Sequence, residues 1–386
     1  MDIKTFITML QDKHFPDYEK MQHKYPADFN CFLQTMEELY YKPLPLADFS
    51  GETLVLSAIF PTVRNRSVKM LLKQQDRFFG LRAAEEEILA TAAIENIDFT
   101  RDSVRNILKG YAPKDLQENR IAGLKNGLSF IADPCNKITE ENLFKLYNMT
   151  VGDFLDGEDC LLAGNYYRHD SVYVVSDRVE HAGLSHEKVP QYMQELISYI
   201  NTDDETDDLV KAAVIHFFIA FVHPYFDGNG RMARLLHLWF LIQKGYRSAL
   251  FVPFSSCIEK SRKAYYDAFS MIEKNKRFTG RTDVTPFVLY FITCVYNKIT
   301  QTDVRDDVLA VFADALNNGE ITEKEKMLWQ FVLAFYGTAP FSTKQLEKDF
   351  DNAAYATIRA FVIKFEKRGL LARINNGTRT KYKVIE

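Results

Sequence analysis

Two apolar segments separated by a short polar stretch lie near the middle of the sequence. The first segment, AAVIHFFIAFV, occupies residues 212–222. The second, RMARLLHLWFLIQKG, begins at residue 231 and has helical spacing that ends at Gly245. The residues between them, HPYFDGNG, place a histidine and an acid next to two glycines. The pattern predicts two helices, and the packing of apolar helices does not explain the polar residues that join them.

The composition is that of an ordinary globular protein. Of its residues, 47% are hydrophobic and 26% are charged. The length of 386 residues indicates two or three domains. The net charge of -4 provides no general attraction to nucleic acid or to membranes. Five widely spaced cysteines without a C-x-x-C pair indicate reduced thiols. Residues 212–222 are fewer than the roughly 20 that a membrane span needs, and a signal-peptide core is lacking, so we expect a cytoplasmic protein without membrane contact.

Helical periodicity dominates the chain, and three domains are predicted. The segment PLPLADFSGE (43–52) is predicted to be irregular, and SVYVVSD (171–177) is predicted to form a strand or hairpin because it is short and rich in β-branched residues. The predicted domains are an N-terminal helical region, a central core and a C-terminal domain, at residues 1–115, 116–302 and 303–386.

The C-terminal domain has a different character from the rest of the chain. Its order of helix, turn, helix and a hairpin turned at Asn376-Gly377 resembles a winged helix-turn-helix. From Ser342 to Glu386 there are ten Lys and Arg residues against five Asp and Glu residues. Such a unit is compatible with a DNA partner, with a protein partner and with formation of a homo-oligomer, and the residues leave these three open. Few side chains on the presumed recognition helix are types that read bases.

The residues Gly228, Asn229 and Gly230 predict an anion-binding site. Glycines let backbone N–H groups approach an anion closely, and the start of the following helix adds unpaired donors and a partial positive charge. Arg231 and Arg234 lie three positions apart on the first turn of that helix, where both can bind further phosphate oxygens.

Asp227 and His223 extend this phosphate site to a reaction. A carboxylate at the edge of the site would repel phosphates unless a cation lay between them, and Mg²⁺ is commonly held by one carboxylate and nucleotide oxygens. His223 ends the preceding helix and has a side chain suited to a general base near neutral pH. Together these groups indicate transfer of a phosphorus group to a hydroxyl.

The stretch HPYFDGNGRMAR (223–234) resembles the signature of the Fic family, H-P-F-x-[D/E]-G-N-G-R-x-x-R, with Tyr225 where phenylalanine is usual. The segment GNYYRHDSVYV (164–174) resembles the family's G-x-Y-R-x-x-x-V segment that leads into a hairpin called the flap. FSSCIEKSRKAYYDAF (254–269) is similar to a stretch that ends in a tyrosine pair near the nucleotide base. The resemblance covers about residues 90 to 300.

The resemblance implies transfer of AMP from ATP to a protein hydroxyl, with release of pyrophosphate. His223 would deprotonate the target Ser, Thr or Tyr, and Asp227 would hold Mg²⁺ against the α- and β-phosphates. The Asn229 side chain would form the anion hole together with the backbone of Gly228, Asn229 and Gly230. Arg231 and Arg234 would bind the outer phosphates.

The resemblance also implies two flanking sites. The flap residues Val174, Val175 and Ser176 would align the target segment by strand addition. Tyr265 and Tyr266 would line the pocket for the base, although a tyrosine pair in a helix is equally compatible with a buried packing role.

TAAIEN, residues 91–96, matches the family's inhibitory pattern [S/T]-x-x-x-E-[G/N] through Thr91, Glu95 and Asn96. The pattern is short, but it precedes the core as in the N-terminally inhibited class of the family. We therefore expect Glu95 to restrain the reaction by binding Arg234.

These observations predict a mainly α fold with a Fic helical core, a small β-hairpin flap and a C-terminal winged helix-turn-helix domain. The predicted function is that of a protein adenylyltransferase that uses ATP and Mg²⁺. Three alternatives stay open, namely removal of AMP, use of another diphosphate donor, and a DNA-binding regulator with a Fic core as its sensor.

Overall fold

The computed structural model describes residues 1–58, 81–176, 179–246, 249–250, 252–299, 306–336, 340–350, 353–376 and 379–385. Within these residues the chain is mainly α-helical, as predicted. The helices are Ile3–Leu10, Tyr18–Lys24, Phe29–Leu39, Leu81–Ile94, Arg101–Leu108, Leu116–Ala132, Glu140–Thr150, Val189–Asn201, Asp208–Val222, Asn229–Gln243, Phe254–Lys260, Arg262–Thr279, Thr285–Tyr290, Asn297–Ile299, Asp306–Asn317, Glu323–Phe331, Thr343–Phe350 and Tyr355–Lys367, with π-helical turns at Phe291–Tyr296 and Val332–Tyr336. The strands pair as antiparallel hairpins, Tyr41–Ala47 with Thr53–Ser57, Tyr173–Ser176 with Val179–Ala182, and Leu371–Asn376 with Arg379–Val384.

The two predicted apolar segments form the centre of the molecule. They are the helices Asp208–Val222 and Asn229–Gln243, which we call the first and second central helices. Nearly all their side chains are buried. A helix that is apolar on all sides is stable only when other elements surround it. Here the surrounding elements include Leu116–Ala132 and Val189–Asn201. The loop between the central helices is thus held at both ends by packed core.

The segment PLPLADFSGE departs from its prediction, because its first half belongs to a β-hairpin. Leu44 and Leu46 point into the core while the prolines between and before them are exposed. Proline is tolerated at a sheet edge but argues against a strand in sequence reasoning. The partner strand also bonds to the core: the N–H of Val55 donates to the carbonyl of Thr282 at 3.1 Å. This hairpin therefore attaches the N-terminal region to the central core.

The buried apolar side chains of the described residues form three clusters. The largest cluster runs from Leu44 to Tyr296 and includes side chains on both sides of residue 115. A second cluster runs from Val308 to Val384 and a third from Phe6 to Met36. The turn Val332–Tyr336 lies against the helix Leu81–Ile94, so the C-terminal part contacts the segment that carries the predicted inhibitory motif.

The C-terminal residues have the predicted order of elements. Helices Thr343–Phe350 and Tyr355–Lys367 are followed by the hairpin of Leu371–Asn376 and Arg379–Val384. Asn376 pairs with Arg379, and the predicted turn residue Gly377 lies outside the described residues. Within the described parts of the chain, no helix has both the length and the apolar character needed to cross a bilayer.

Candidate active site

The candidate site is the loop that joins the two central helices, and His223 begins it. His223 ends the first central helix with its backbone in the left-handed region, at φ 55° and ψ 61°. This conformation is uncommon for a residue other than glycine, so surrounding contacts must maintain it. The N–H of His223 donates to the carbonyl of Ile219 at 3.1 Å as the last bond of the helix, and the left-handed backbone of His223 then turns the chain away from the helix axis.

Arg168 supplies the other contact that maintains this turn. Its side chain is buried and donates from Nε to the carbonyl of His223 at 2.8 Å. The guanidinium also donates to the carbonyls of Asp170, at 2.7 Å, and of Leu184. Asp170 precedes the flap hairpin and Leu184 follows it. One buried cation therefore connects the loop between the central helices to both ends of the flap hairpin. Nothing in the sequence assigned this role to Arg168, because His223 lies 55 residues further along the chain.

The surroundings of His223 favour the neutral form of its imidazole. Burial lowers its pKa from the usual 6.5, the neighbouring Arg168 lowers it further, and the contact with the carbonyl of Ala220 opposes the shift. Nδ1 lies 3.4 Å from that carbonyl oxygen. If Nδ1 carries the proton that this contact accepts, Nε2 is the nitrogen with a free lone pair.

Asn229 closes the loop from inside. Its Oδ1 accepts from the N–H of Tyr225 at 2.9 Å, and its Nδ2 donates to the carbonyl of Tyr225 at 2.8 Å. The prediction placed this side chain in the anion hole, whereas both ends of the amide bind the loop backbone. Tyr225 is itself fully buried and stacks on Tyr147 with ring centroids 3.8 Å apart. The tyrosine in the usual phenylalanine position thus anchors the loop.

The two glycines allow close approach on opposite sides of the loop. Gly228 has φ 79°, and a Cβ there would lie 2.5 Å from Val151 Cγ2. A Cβ on Gly230 would lie 2.5 Å from an oxygen of Glu95. The second central helix starts at Asn229, and the first N–H groups of a helix have no partner within it. Its N-terminus therefore has the N–H groups of the predicted anion-binding site at residues 228–230, which we call the anion cradle. The Glu95 carboxylate lies next to this cradle, at Gly230.

Asp227 and Arg231 form a pair at one edge of the cradle. Arg231 Nη2 donates to Asp227 Oδ2 at 2.8 Å, and Asp227 Oδ1 accepts from the N–H of Gly228 at 2.6 Å. The Asp227 side chain is 49% exposed whereas that of Arg231 is 8% exposed. The buried Nε of Arg231 has no partner within the described residues. A buried, incompletely bonded guanidinium beside a helix N-terminus is suited to an anion.

The same corner of the site fits a divalent cation that arrives with its ligands. No cluster of three or more His, Cys, Asp or Glu side chains suited to a metal occurs in the described part of the chain. Mg²⁺ is often bound by a single carboxylate together with phosphate oxygens and water. The accessible Asp227 carboxylate would be that one protein ligand, so the donor set is compatible with a metal bound together with a nucleotide.

Arg234 lies at the other edge of the cradle and is bound by the segment 91–95. It donates from Nη2 to Glu95 Oε1 at 2.6 Å and from Nε to Thr91 Oγ1 at 2.7 Å. A third, longer contact reaches the carbonyl of Thr91 at 3.3 Å. Glu95 follows the end of the helix Leu81–Ile94, and Asn96, with φ 56°, turns the chain away. Thr91 and Glu95 thus contact the arginine predicted from the motif.

The tyrosine pair divides into two roles. Tyr265 is buried and its hydroxyl lies 3.0 Å from Nε2 of the buried His216. Tyr266 is 43% exposed, and the guanidinium of Arg262 lies 5.9 Å from its ring centroid. Only Tyr266 therefore presents a ring to a planar ligand. Tyr265 has the buried packing role that the sequence left open.

The flap is a short antiparallel hairpin, as the sequence predicted. Val174, Val175 and Ser176 pair with His181, Glu180 and Val179, and the side chains of these residues lie outside what the structure describes. At its base, the N–H of Gly183 donates to the carbonyl of Val172 at 2.9 Å. The flap backbone is thus placed by Arg168 relative to His223.

The fold and this site define a class of protein: a helical domain whose central helix–loop–helix holds a histidine, an anion cradle and an accessible carboxylate. Residues 137–241 match the model of the Fic/DOC family, in agreement with the resemblance of the stretch 223–234 to the Fic signature.

Known proteins extend this likeness beyond the domain. The chain is 22% identical over 286 residues to "Protein adenylyltransferase Fic" of Drosophila yakuba, which covers 67% of this chain and 53% of that protein. It is 25% identical over 281 residues to "Protein adenylyltransferase fic-1" of Caenorhabditis elegans, with 66% and 51% covered. The chain spans about half the length of these curated relatives. A Fic family protein from Desulfovibrio desulfuricans G20 is 18% identical, with a TM-score of 0.48 and coverage of 78% and 86%.

The contacts of Asn229 lead to a prediction about stability. Asn229→Ala removes both bonds to the Tyr225 backbone, and a buried polar group without a partner costs about 1–3 kcal/mol. We expect a clear loss of unfolding free energy in urea denaturation. Asn229→Asp retains the acceptor for the N–H but sets a carboxylate against the carbonyl, so it should also destabilise the protein. An unchanged midpoint in both variants would contradict the role of Asn229 in closing the loop.

Proposed function

We propose that this protein is an adenylyltransferase that moves AMP from ATP to a Ser, Thr or Tyr hydroxyl of a target protein. The observation that carries the proposal is that one loop, residues 223–234, brings a neutral histidine, an anion cradle and a carboxylate together. The family assignment and the names of the curated relatives support the same reaction.

In the proposed reaction His223 is the general base. Its Nε2 takes the proton of the target hydroxyl as the hydroxyl oxygen attacks the α-phosphorus of ATP. The bond from that phosphorus to the oxygen bridging to the β-phosphate breaks, and pyrophosphate leaves with the electron pair. The lowered pKa of His223 keeps the imidazole unprotonated at neutral pH, which is the form that a base requires.

The remaining loop residues stabilise the phosphates. The N–H groups of Gly228, Asn229 and Gly230 at the helix N-terminus would surround the α-phosphate, where negative charge develops during attack. Arg231 would bind the β-phosphate and Arg234 the γ-phosphate. Asp227 would bind Mg²⁺, which on binding would neutralise phosphate charge. Tyr266, exposed beside Arg262, would contact the adenine.

The flap offers the site for the target. A hairpin edge can add a further strand through backbone hydrogen bonds, and such pairing reads little side-chain information. Arg168 bonds to the carbonyls on both sides of the hairpin and to that of His223. A target strand paired with the flap would thereby be held at a set distance from the base.

We also propose that Glu95 restrains the reaction. The pair of Arg234 and Glu95 is partly desolvated, and charge-assisted bonds of this kind contribute about 1.5–3 kcal/mol. In this proposal Glu95 competes with a γ-phosphate for Arg234, because it occupies the Nη2 donor and places its negative charge where the phosphate would bind. The Glu95 carboxylate, above Gly230, also opposes an anion in the cradle. ATP would then bind with its α-phosphorus out of line for attack. Removal of AMP is the alternative reaction. In that case the Glu95 carboxylate near the cradle would align the attacking water.

A regulatory role of the C-terminal part is the second candidate. Its helices and hairpin support the proposal of a winged helix-turn-helix, although Lys364 and Arg368 are neutralised by Glu325 and Glu320. The contact of Val332–Tyr336 with Leu81–Ile94 is the observation that favours regulation, because a DNA or protein partner bound there would reach the inhibitory segment. A gel-shift assay with and without residues 337–386 distinguishes DNA from the other partners.

The first test of the reaction uses α-labelled ATP, Mg²⁺ and cell lysate. The wild type and Glu95→Gly should transfer label to protein, and His223→Ala should lose the transfer because the hydroxyl then has no base. Nucleotide binding by His223→Ala should stay near that of the wild type. Equal labelling with and without His223 would overturn the mechanism, and label from γ-labelled ATP would indicate a kinase instead.

The second prediction concerns pH. A base must be neutral, so kcat/KM should rise with pH through the pKa of His223 and then level off. Because burial and Arg168 lower this pKa, the midpoint of the rise should lie below the ordinary value of 6.5. Initial rates of label transfer by Glu95→Gly across buffers of constant ionic strength provide the measurement. A midpoint above neutrality would contradict the assignment of a neutral His223.

The third prediction concerns Glu95. Glu95→Gly frees Arg234 for the γ-phosphate and should raise the rate of label transfer by about ten- to a hundredfold. Asp98→Gly is the matched control, since Asp98 is an exposed acid in the same segment, and its rate should equal that of the wild type. Arg234→Ala should not reproduce the gain, because it removes the phosphate ligand itself. Identical rates for Glu95→Gly and the wild type would show that Glu95 is no restraint.

A further inference from the structure

Glu87 is a buried acid that the proposed reaction does not use. It lies on the helix Leu81–Ile94, four residues before Thr91 and eight before Glu95. Residues spaced by four lie on one face of a helix. The two later members of this row both bind Arg234. Glu87 therefore belongs to the face that meets the cradle, although its own partner is elsewhere.

That partner is Ser255, at the start of the helix Phe254–Lys260. The N–H of Ser255 donates to Glu87 Oε2 at 2.9 Å, and the hydroxyl of Ser255 donates to Glu87 Oε1. Glu87 is 5% exposed and Ser255 is fully buried. Burial raises the pKa of Glu87, while the bonds from Ser255 and the charge of Arg234 oppose the shift. Both oxygens of the carboxyl group thus have a fixed partner in a site without water access.

The other end of the same helix has a weaker attachment. Arg262 donates from Nη1 to Asn96 Oδ1 at 3.2 Å and to the carbonyl of Ala93 at 3.4 Å. Both contacts are exposed to solvent. Hydrogen bonds to a buried charged group contribute more to stability than exposed hydrogen bonds of this length. The pair of Glu87 and Ser255 is therefore the main polar attachment of the helix Leu81–Ile94 to the segment 254–262.

We infer that Glu87 is a positioning residue, which through Ser255 sets the place of the helix so that Glu95 reaches Arg234. The inference rests on the proposed restraint by Glu95 and adds what holds it. A hydrogen bond at 2.6 Å is lost when its atoms separate by about 1 Å, so a small shift of the helix suffices to free Arg234. A change at Ser255 or Glu87 would then act on a residue two helical turns away.

The test compares single and double variants of the full chain. Glu87→Ala should raise the rate of label transfer from α-labelled ATP several-fold, towards that of Glu95→Gly. Glu87→Gln should stay near the wild type, because an amide can accept from the N–H of Ser255 and donate to its hydroxyl oxygen. Glu86→Ala is the matched control, since Glu86 on the same helix binds Arg101 instead, and it should leave the rate unchanged.

The decisive comparison is the double variant Glu87→Ala with Glu95→Gly. If Glu87 acts only through Glu95, the double variant should equal Glu95→Gly in rate. A further loss of rate in the double variant would show a general structural role, and an unchanged rate in Glu87→Ala would show no role. Either result overturns the inference. Ser255→Ala, which retains the backbone bond, should give a smaller gain and serves if Glu87→Ala does not fold.

A second readout separates this inference from the proposed reaction. The affinity for a non-hydrolysable ATP analogue, measured by calorimetry, should increase in Glu87→Ala and in Glu95→Gly but not in Glu86→Ala. If no variant transfers label, the proposed reaction fails, and this affinity still decides the role of Glu87. An affinity of Glu87→Ala equal to that of the wild type would then overturn it.

Discussion

The pair of Arg234 and Glu95 is the interaction at the centre of this site, because in the proposed function a phosphate and this carboxylate compete for one guanidinium. Arg234 extends from the first turn of the second central helix, and its side chain is almost fully buried. A buried cation without a partner is costly, so it must be paired at all times. Here Glu95 and Thr91 bind it, and in the proposed reaction the γ-phosphate of ATP would replace them. In the proposed function, this requirement for a partner suits Arg234 to bind a phosphate, and it also allows a carboxylate to restrain the reaction at the same residue.

The surrounding structure fixes the positions of the loop 223–234 and of the helix before Glu95. The two buried central helices fix the ends of the loop, Asn229 closes it from inside, and Arg168 attaches it to the flap. The carboxylate comes from a separate helix, which Glu87 fastens at Ser255. The geometry of the loop is therefore set by the core. The proposed restraint by Glu95 depends instead on the helix Leu81–Ile94 and its attachments. That division allows regulation of the site without unfolding of the loop.

The residues alone predicted the parts of this site whose contacts are local, and the family resemblance predicted one distant contact, that of Glu95 with Arg234. The central helices, the glycine loop and the flap hairpin follow from periodicity and turn residues within a few positions of one another. The split between Tyr265 and Tyr266 did not follow, because it depends on His216 in another helix. Arg168 and Glu87 were not identified for the same reason. His223 is 55 residues from Arg168, and Ser255 is 168 residues from Glu87. Prolines hid the strand at Tyr41–Ala47, where the exposed edge of the hairpin tolerates them.

The difference in affinity between ATP and ADP would show whether Glu95 and the γ-phosphate compete for Arg234. The two nucleotides differ by the γ-phosphate, which is the proposed ligand of Arg234. In the wild type, with Glu95 on Arg234, calorimetry should find nearly equal dissociation constants. In Glu95→Gly, ATP should bind more tightly than ADP by about tenfold or more, because the freed guanidinium gains a charge-assisted bond. An equal difference between the nucleotides in both proteins would contradict the claim that Glu95 and the γ-phosphate compete for Arg234.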